Sequence, residues 1–211
     1  MLKFLPEIII FICVFTSTLI YIKGIINDTV KPILATRIFL LLAFLLSALT
    51  SYEQTGSHGL LANLLNIVDF LSVLATFFAM AFSKNKNREF TNFEKICLYF
   101  VIAIFLVWIV SRQNILANIL IQIILVIAYL PTLIHLWKSQ NNTESLSAWS
   151  LDFLASIFGM IAPLQIMALL PLIYGIRSTI STFLVMALIF RIQFREINVK
   201  NKKLILSSHL S

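Results

Sequence analysis

Apolar residues run along this chain in long blocks separated by short polar or charged clusters. Neither the two-residue period of a half-buried strand nor the one-sided stripe of a surface helix gives that pattern. Seven blocks stand out: Phe4 to Ile22, Ile33 to Ser51, Leu60 to Phe82, Ile96 to Val110, Ile115 to Trp137, Leu146 to Leu170, and Leu172 to Phe190. Most approach the roughly 20 residues that a helix needs to cross a bilayer. The fourth is the shortest, and Pro171 and Gly175 leave the last boundary open between a tight turn and the seventh helix.

Composition agrees. Of 211 residues, 60% are hydrophobic and 12% charged, with a mean hydropathy of +0.96; soluble domains carry roughly 25% charge. That excludes a water-soluble globular domain and leaves no length for a separate one, so residues 1–211 are expected to form a single all-α integral membrane domain. The first apolar run has only Lys3 before it and no Ala-x-Ala pattern after it, as in a retained helix rather than a cleaved signal. Cys13 and Cys97 both lie in apolar segments, where a thiol packs as a small hydrophobe, so no disulfide framework is implied.

Charge placement sets the expected orientation. With the N-terminus outside, 13 of the 16 Lys and Arg residues face inward, and only Lys3, Arg112 and Arg177 face outward. The positive-inside rule then gives an N-out, C-in, multi-pass protein of the cell (inner) membrane. The basic tail at 191–211 reads as an orientation anchor attracted to anionic lipid, with no nucleic-acid partner.

A shift of 114 residues lays Ser17 to Thr29 over Pro131 to Thr143, with Thr18/Thr132, Leu19/Leu133, Ile20/Ile134, Asn27/Asn141 and Thr29/Thr143 identical. The same shift carries helices 1, 2 and 3 onto helices 5, 6 and 7. The expected architecture is therefore 3+1+3: a first three-helix repeat at 4–82, a linker helix at 96–110, and a second repeat at 115–190. Because three crossings would invert the second copy, one extra crossing restores its direction and makes the repeats parallel.

These residues resemble the SWEET and PQ-loop superfamily. The closest stretch is Ala128-Tyr-Leu-Pro-Thr-Leu-Ile-His-Leu-Trp-Lys-Ser-Gln-Asn-Asn-Thr-Glu-Ser-Leu-Ser-Ala-Trp149, which is similar to the family's second motif. Thr132 stands where the family has Gln, and Ser17-Thr18 where the first motif would have Pro-Gln. The resemblance implies three-helix bundles related by an axis along the membrane normal. The family's asparagine pair would fall near Asn66 and Ile180. Independently of the family, Pro131 removes a backbone donor about two turns before the inner end of helix 5 and is a candidate hinge, with Thr132 beside it as the gate. Asn27-Asp-Thr and Asn141-Asn-Thr fit the glycosylation pattern, but at an inner face turn and cap chemistry is the expected role.

Ionisable groups inside a bilayer are functional candidates because they are costly there, about 2.5–3.5 kcal/mol on insertion scales. Asp69, ten residues into helix 3 with Asn66 one turn away, and Asp152, about six residues into helix 6, qualify. Helix 5 carries a polar line through Asn114, Asn118, Gln122, Tyr129 and Thr132, and helix 7 a shorter one through Ser178 and Ser181 or Thr182. The candidate substrate-binding set is Asn66, Asp69, Asn118, Gln122, Tyr129, Asp152 and Ser181; the candidate gating pair is Pro131 and Thr132. Interhelical hydrogen bonding is the alternative use of the uncharged members.

The expected function is alternating-access transport of a small polar solute such as a sugar, an amino acid or a vitamin-like molecule, with proton coupling through Asp69 as one form of it. A non-transporting receptor or assembly factor of the same fold is the alternative. An enzyme is not expected: Val-Asp69-Phe and Leu-Asp152-Phe lack Gly-x-Gly-Asp, and no His-Glu-x-x-His, metal-spaced cysteine pair or Gly-x-Ser-x-Gly occurs. No cofactor or metal is implied. The expected partners are the small solute and the lipid bilayer, and a homo-oligomer stays open.

Overall fold

The computed structural model describes residues 5–30, 32, 34–56, 61–82, 92–139 and 142–208. Lys3, Lys31, Lys84, Lys86 and Arg88, counted above among the orienting cations, lie outside the described residues. Every described element is a helix: α1 (Leu5–Ile26), α2 (Leu34–Thr55), α3 (Leu64–Phe82), α4 (Asn92–Ser111), α5 (Asn114–Lys138), α6 (Leu146–Phe158), α7 (Ile161–Gln165) and α8 (Leu169–Ser208). Five stretches are long and apolar enough to cross a membrane: Leu5–Ile26, Leu64–Phe82, Asn114–Lys138, Leu146–Gln165 and Leu169–Arg195. This is an all-helical, multi-pass membrane protein.

Polar groups lie inside and apolar groups outside. Ser47, Thr50, Ser51, Asn66, Asn118 and Ser156 are buried, whereas Ile8, Ile12, Phe15 and Leu19 of α1 and Ile119, Ile123, Val126 and Leu130 of α5 face outward. In water that surface would drive aggregation; in lipid it is the solvated face.

Six helices form a closed ring. α1 packs on α3 and α6, α2 on α3 and α5, and α8 on α5 and α6, which gives the order α1, α3, α2, α5, α8, α6. α4 lies outside the ring against α5 and α2, held by the Trp108 indole, which donates to Asn114 Oδ1 at 2.8 Å. The last turns of α1 and α5 and the first turns of α2 and α6 share one end of the ring, here called the basic end. There Arg191 of α8 donates to the Trp137 carbonyl at 2.6 Å and stacks on the Trp137 ring at 4.3 Å.

The sixth apolar block departs from the sequence expectation. It is not one helix over Leu146 to Leu170: α6 stops at Phe158, α7 makes one turn, and α8 begins at Leu169. Pro163 has no N–H to give the Gly159 carbonyl four residues earlier, so the ladder breaks there. Gly159 also has no room for a side chain, since a Cβ would lie 2.5 Å from Leu65 Cδ2. Pro171 and Gly175 belong to α8, with the proline in its first turn, where a missing donor is harmless. The same helix runs on without a break through the basic tail to Ser208.

Asn27, Asp28 and Thr29 do form a cap. Asp28 takes φ +56°, and the backbone N–H groups of Thr29 and Val30 donate to the Gly24 carbonyl at 3.0 and 3.1 Å. The turn folds Val30 back so closely that a Cβ on Gly24 would meet Val30 Cγ2 at 2.5 Å.

Candidate functional site

At the centre of the ring, towards the basic end, lies a cavity of about 50 Å³, room for a few water molecules. All six ring helices line it: Ser17, Thr18 and Tyr21 from α1, Arg37 and Phe44 from α2, Asp69, Ser72 and Thr76 from α3, Tyr129 and Thr132 from α5, Trp149 and Asp152 from α6, and Ser178 and Thr182 from α8. Glu144, from the loop before α6, completes the wall.

Of the candidates read from sequence, Asp69, Tyr129, Thr132 and Asp152 line this cavity. Asp69 accepts the Tyr174 hydroxyl at 2.6 Å, and Asp152 sits beside the Ser17 hydroxyl. Tyr129 packs edge-on against Trp149 with ring centroids 6.1 Å apart. Ser181 is buried, but its neighbours Ser178 and Thr182 take the lining positions. At Pro131 the backbone continues helically within α5; its side chain lies outside the described residues.

The remaining three, Asn66, Asn118 and Gln122, are not on the cavity wall. They build the seam where α2 meets α3 and α5. Asn118, fully buried, donates to Thr50 Oγ1 at 2.8 Å. Gln122 donates to Ser47 Oγ at 3.2 Å and to Asn118 Oδ1 at 3.1 Å. The Ser47 hydroxyl in turn donates to the Asn66 amide oxygen at 2.9 Å, and the Asn66 amide nitrogen donates to the Phe44 carbonyl at 3.3 Å. Arg177 Nε donates to Gln122 Oε1 at 3.1 Å. With its oxygen occupied by that cation, the Gln122 amide has only its two N–H bonds to offer Ser47 and Asn118, so one charge orients the chain.

Two further residues are important to the interior. Arg177, expected among the outward-facing cations, is buried in the bundle at 6% exposure. It shares an α8 stripe with Tyr174, Ser178 and Ser181, and that helical spacing is the signal that would have placed it inside. Glu144, not among the candidates read from sequence, lies in the loop before α6 and is only 8% exposed. Its Oε2 accepts the Tyr21 hydroxyl at 2.7 Å and the Trp149 indole N–H at 3.0 Å, and the Arg37 guanidinium stacks on the Tyr21 ring at 4.5 Å. Burial raises the Glu144 carboxyl above its usual range, against the opposing pull of Arg37 and of its two donors.

The local sequence presents Glu144 in this way. The Asn142 side chain accepts the Glu144 backbone N–H at 3.0 Å, an Asx-type turn. One residue later, Ser145 caps α6 by accepting the Ala148 N–H at 3.4 Å. Asn141 itself lies outside the described residues. Tyr21 and Arg37 come from α1 and α2, and Glu144 and Trp149 from the loop after α5 and from α6, so this cluster joins the two sides of the cavity wall.

Chemically, the cavity gathers carboxylates, hydroxyls and aromatic rings around a space of a few water molecules. The described residues include no group of three or more His, Cys, Asp or Glu placed to hold a metal ion. No family model, no curated protein and no solved structure matches this chain.

Proposed function

We propose that the protein is a small-solute transporter of the cell membrane that works by alternating access, with seven spans arranged 3+1+3. The single observation that carries the reading is a polar cavity, lined by all six ring helices, with carboxylates from α3 and α6 at its wall. Exchanging α1 with α5, α2 with α6 and α3 with α8 maps the ring order onto itself, as two parallel repeats would. Such a ring has two seams between its halves, α2 with α5 and α1 with α6, and opening the ring at the basic end would expose the cavity.

The Glu144 cluster, together with Thr132, is the gate in this reading, and Asp69 and Asp152 are the solute or proton sites. Narrowness supports the closed position: about 50 Å³ must widen before a sugar-sized solute fits. N-out, C-in topology is supported by the charges, since burying Arg177 leaves 13 cations on one side against Lys3 and Arg112 on the other. Proteoliposomes loaded with labelled sugars, amino acids and organic acids test the proposal. The expected result is saturable flux of at least one class, lost in Asp152→Asn. Proton coupling is rejected if flux ignores a pH gradient and Asp69→Asn behaves as wild type. A receptor of the same fold would bind solute without any flux.

A further inference from the structure

Among the described residues, Arg177 is the least satisfied group in the interior. Its Nε donates to Gln122, but Nη1 and Nη2 are buried with no hydrogen-bond partner. A guanidinium does not lose its proton, and a buried charge lacking acceptors is costly. Three rings surround it, with the guanidinium carbon 4.5 Å from the Tyr174 centroid, 5.8 Å from Phe44 and 6.0 Å from Tyr129. Ring faces attract the cation, yet they give the in-plane Nη hydrogens nothing to bond. Asp69 is close enough to feel the Arg177 charge, but its carboxylate takes the Tyr174 hydroxyl. The described residues hold a single ion pair within 4 Å, Arg112 with Glu53, so Arg177 and Asp69 do not form one.

Phe44 and Tyr129 also line the cavity, so the guanidinium stands one ring behind its wall. We infer that the Arg177 Nη pair is an anion-binding fork for a small carboxylate solute, reached when the Phe44 and Tyr129 rings move aside. The inference rests on the transport proposal and names the solute class for it. Two parallel N–H groups match the two oxygens of a planar carboxylate. Asp69 and Asp152 line the same cavity, so a doubly charged phosphate would meet twice the like-charge repulsion that a monocarboxylate meets.

The test is thermal melting of the purified full chain titrated with sodium acetate, pyruvate or lactate, with sodium chloride at matched ionic strength and glucose as controls. A ligand that binds only the folded state raises Tm by mass action. The expected result is a saturable rise with at least one carboxylate and none with the controls. Arg177→Gln is expected to abolish the rise, and Arg177→Lys, which keeps charge but loses the fork, to weaken apparent binding about tenfold. Should Arg177→Gln fail to fold, Asp69→Asn decides: removing a like charge from the cavity wall should tighten carboxylate binding, and an unchanged titration overturns the inference. Equal melting in carboxylates and chloride, or a carboxylate response that survives Arg177→Gln, also overturns it. Carboxylate binding without flux in proteoliposomes refutes transport and leaves the anion site standing. Flux of a neutral solute that carboxylates do not compete with refutes the anion site and leaves transport standing.

Discussion

The two seams of the ring, α2 with α5 and α1 with α6, hold together by different chemistry. Across the first, Asn118 and Gln122 meet Ser47 and Thr50 through neutral amides and hydroxyls, and the Leu46, Ile121 and Leu125 side chains are fully buried. Each amide there has its partners, and none of these four side chains titrates. Across the second, Ser17 lies beside Asp152, and Tyr21 reaches past α6 to Glu144. That seam depends on carboxylates, whose hold varies with protonation. Neutral amides and hydroxyls oriented by one buried cation suit a fixed joint, and a carboxylate cluster suits one that opens.

Gln122→Ala should have the largest effect, on the α2–α5 seam. It frees Arg177 Nε and removes donors from Ser47 and Asn118 together, so unfolding should cost about 3 kcal/mol less, given 1–3 kcal/mol per stranded polar group; chemical denaturation in detergent checks it. Glu144→Ala should loosen the other seam by about 1.4 kcal/mol, a tenfold change in opening. In a Cys97→Ser background, that appears as about tenfold faster maleimide labelling of Cys13, which is buried in α1. The corresponding change on the α2 side, Thr50→Ala, should leave Cys13 labelling unchanged.

Acidity separates the seams further. Because burial raises the Glu144 carboxyl in the folded state, the folded chain binds that proton more tightly than the unfolded chain does. The resulting stability is whole below the ordinary glutamate range and is lost as pH rises through the raised value. Glu144→Gln should therefore match wild type in acid and melt higher than it towards neutral pH, with a flatter Tm profile. The smallest effect is expected for Tyr174→Phe: the lost hydrogen bond to Asp69 should cost about 1 kcal/mol, while neither seam is touched.

Much of this was legible in sequence at the level of helices, because long apolar blocks admit few other folds in lipid. The inward face of helix 5 was legible too, since Asn118 and Gln122 share one stripe. Whether that stripe meets a cavity or a neighbouring helix was not, because Ser47 lies 75 residues from Gln122 and no local pattern pairs them. Glu144 escaped for a related reason. A carboxylate in a polar loop reads as solvated until the fold places Tyr21, 123 residues away, above it. Arg177 was misplaced because the helix starts at Leu169, and its first two turns carry the cation inward past the point a later start would give.

The unbroken length of α8 gives the protein a lever. At 1.5 Å per residue, its 40 residues measure about 60 Å, twice the roughly 30 Å of hydrocarbon they cross. Arg191, bound to the end of α5, acts as the fulcrum. Beyond it extends a helical arm of nearly five turns, about as long as the stretch from Arg191 back to Tyr174, so a tilt at Tyr174 and Ser178 is carried to Ser208 at similar amplitude and in the opposite direction. A spin label or fluorophore on that arm would report rearrangements around a cavity itself too narrow to carry a probe.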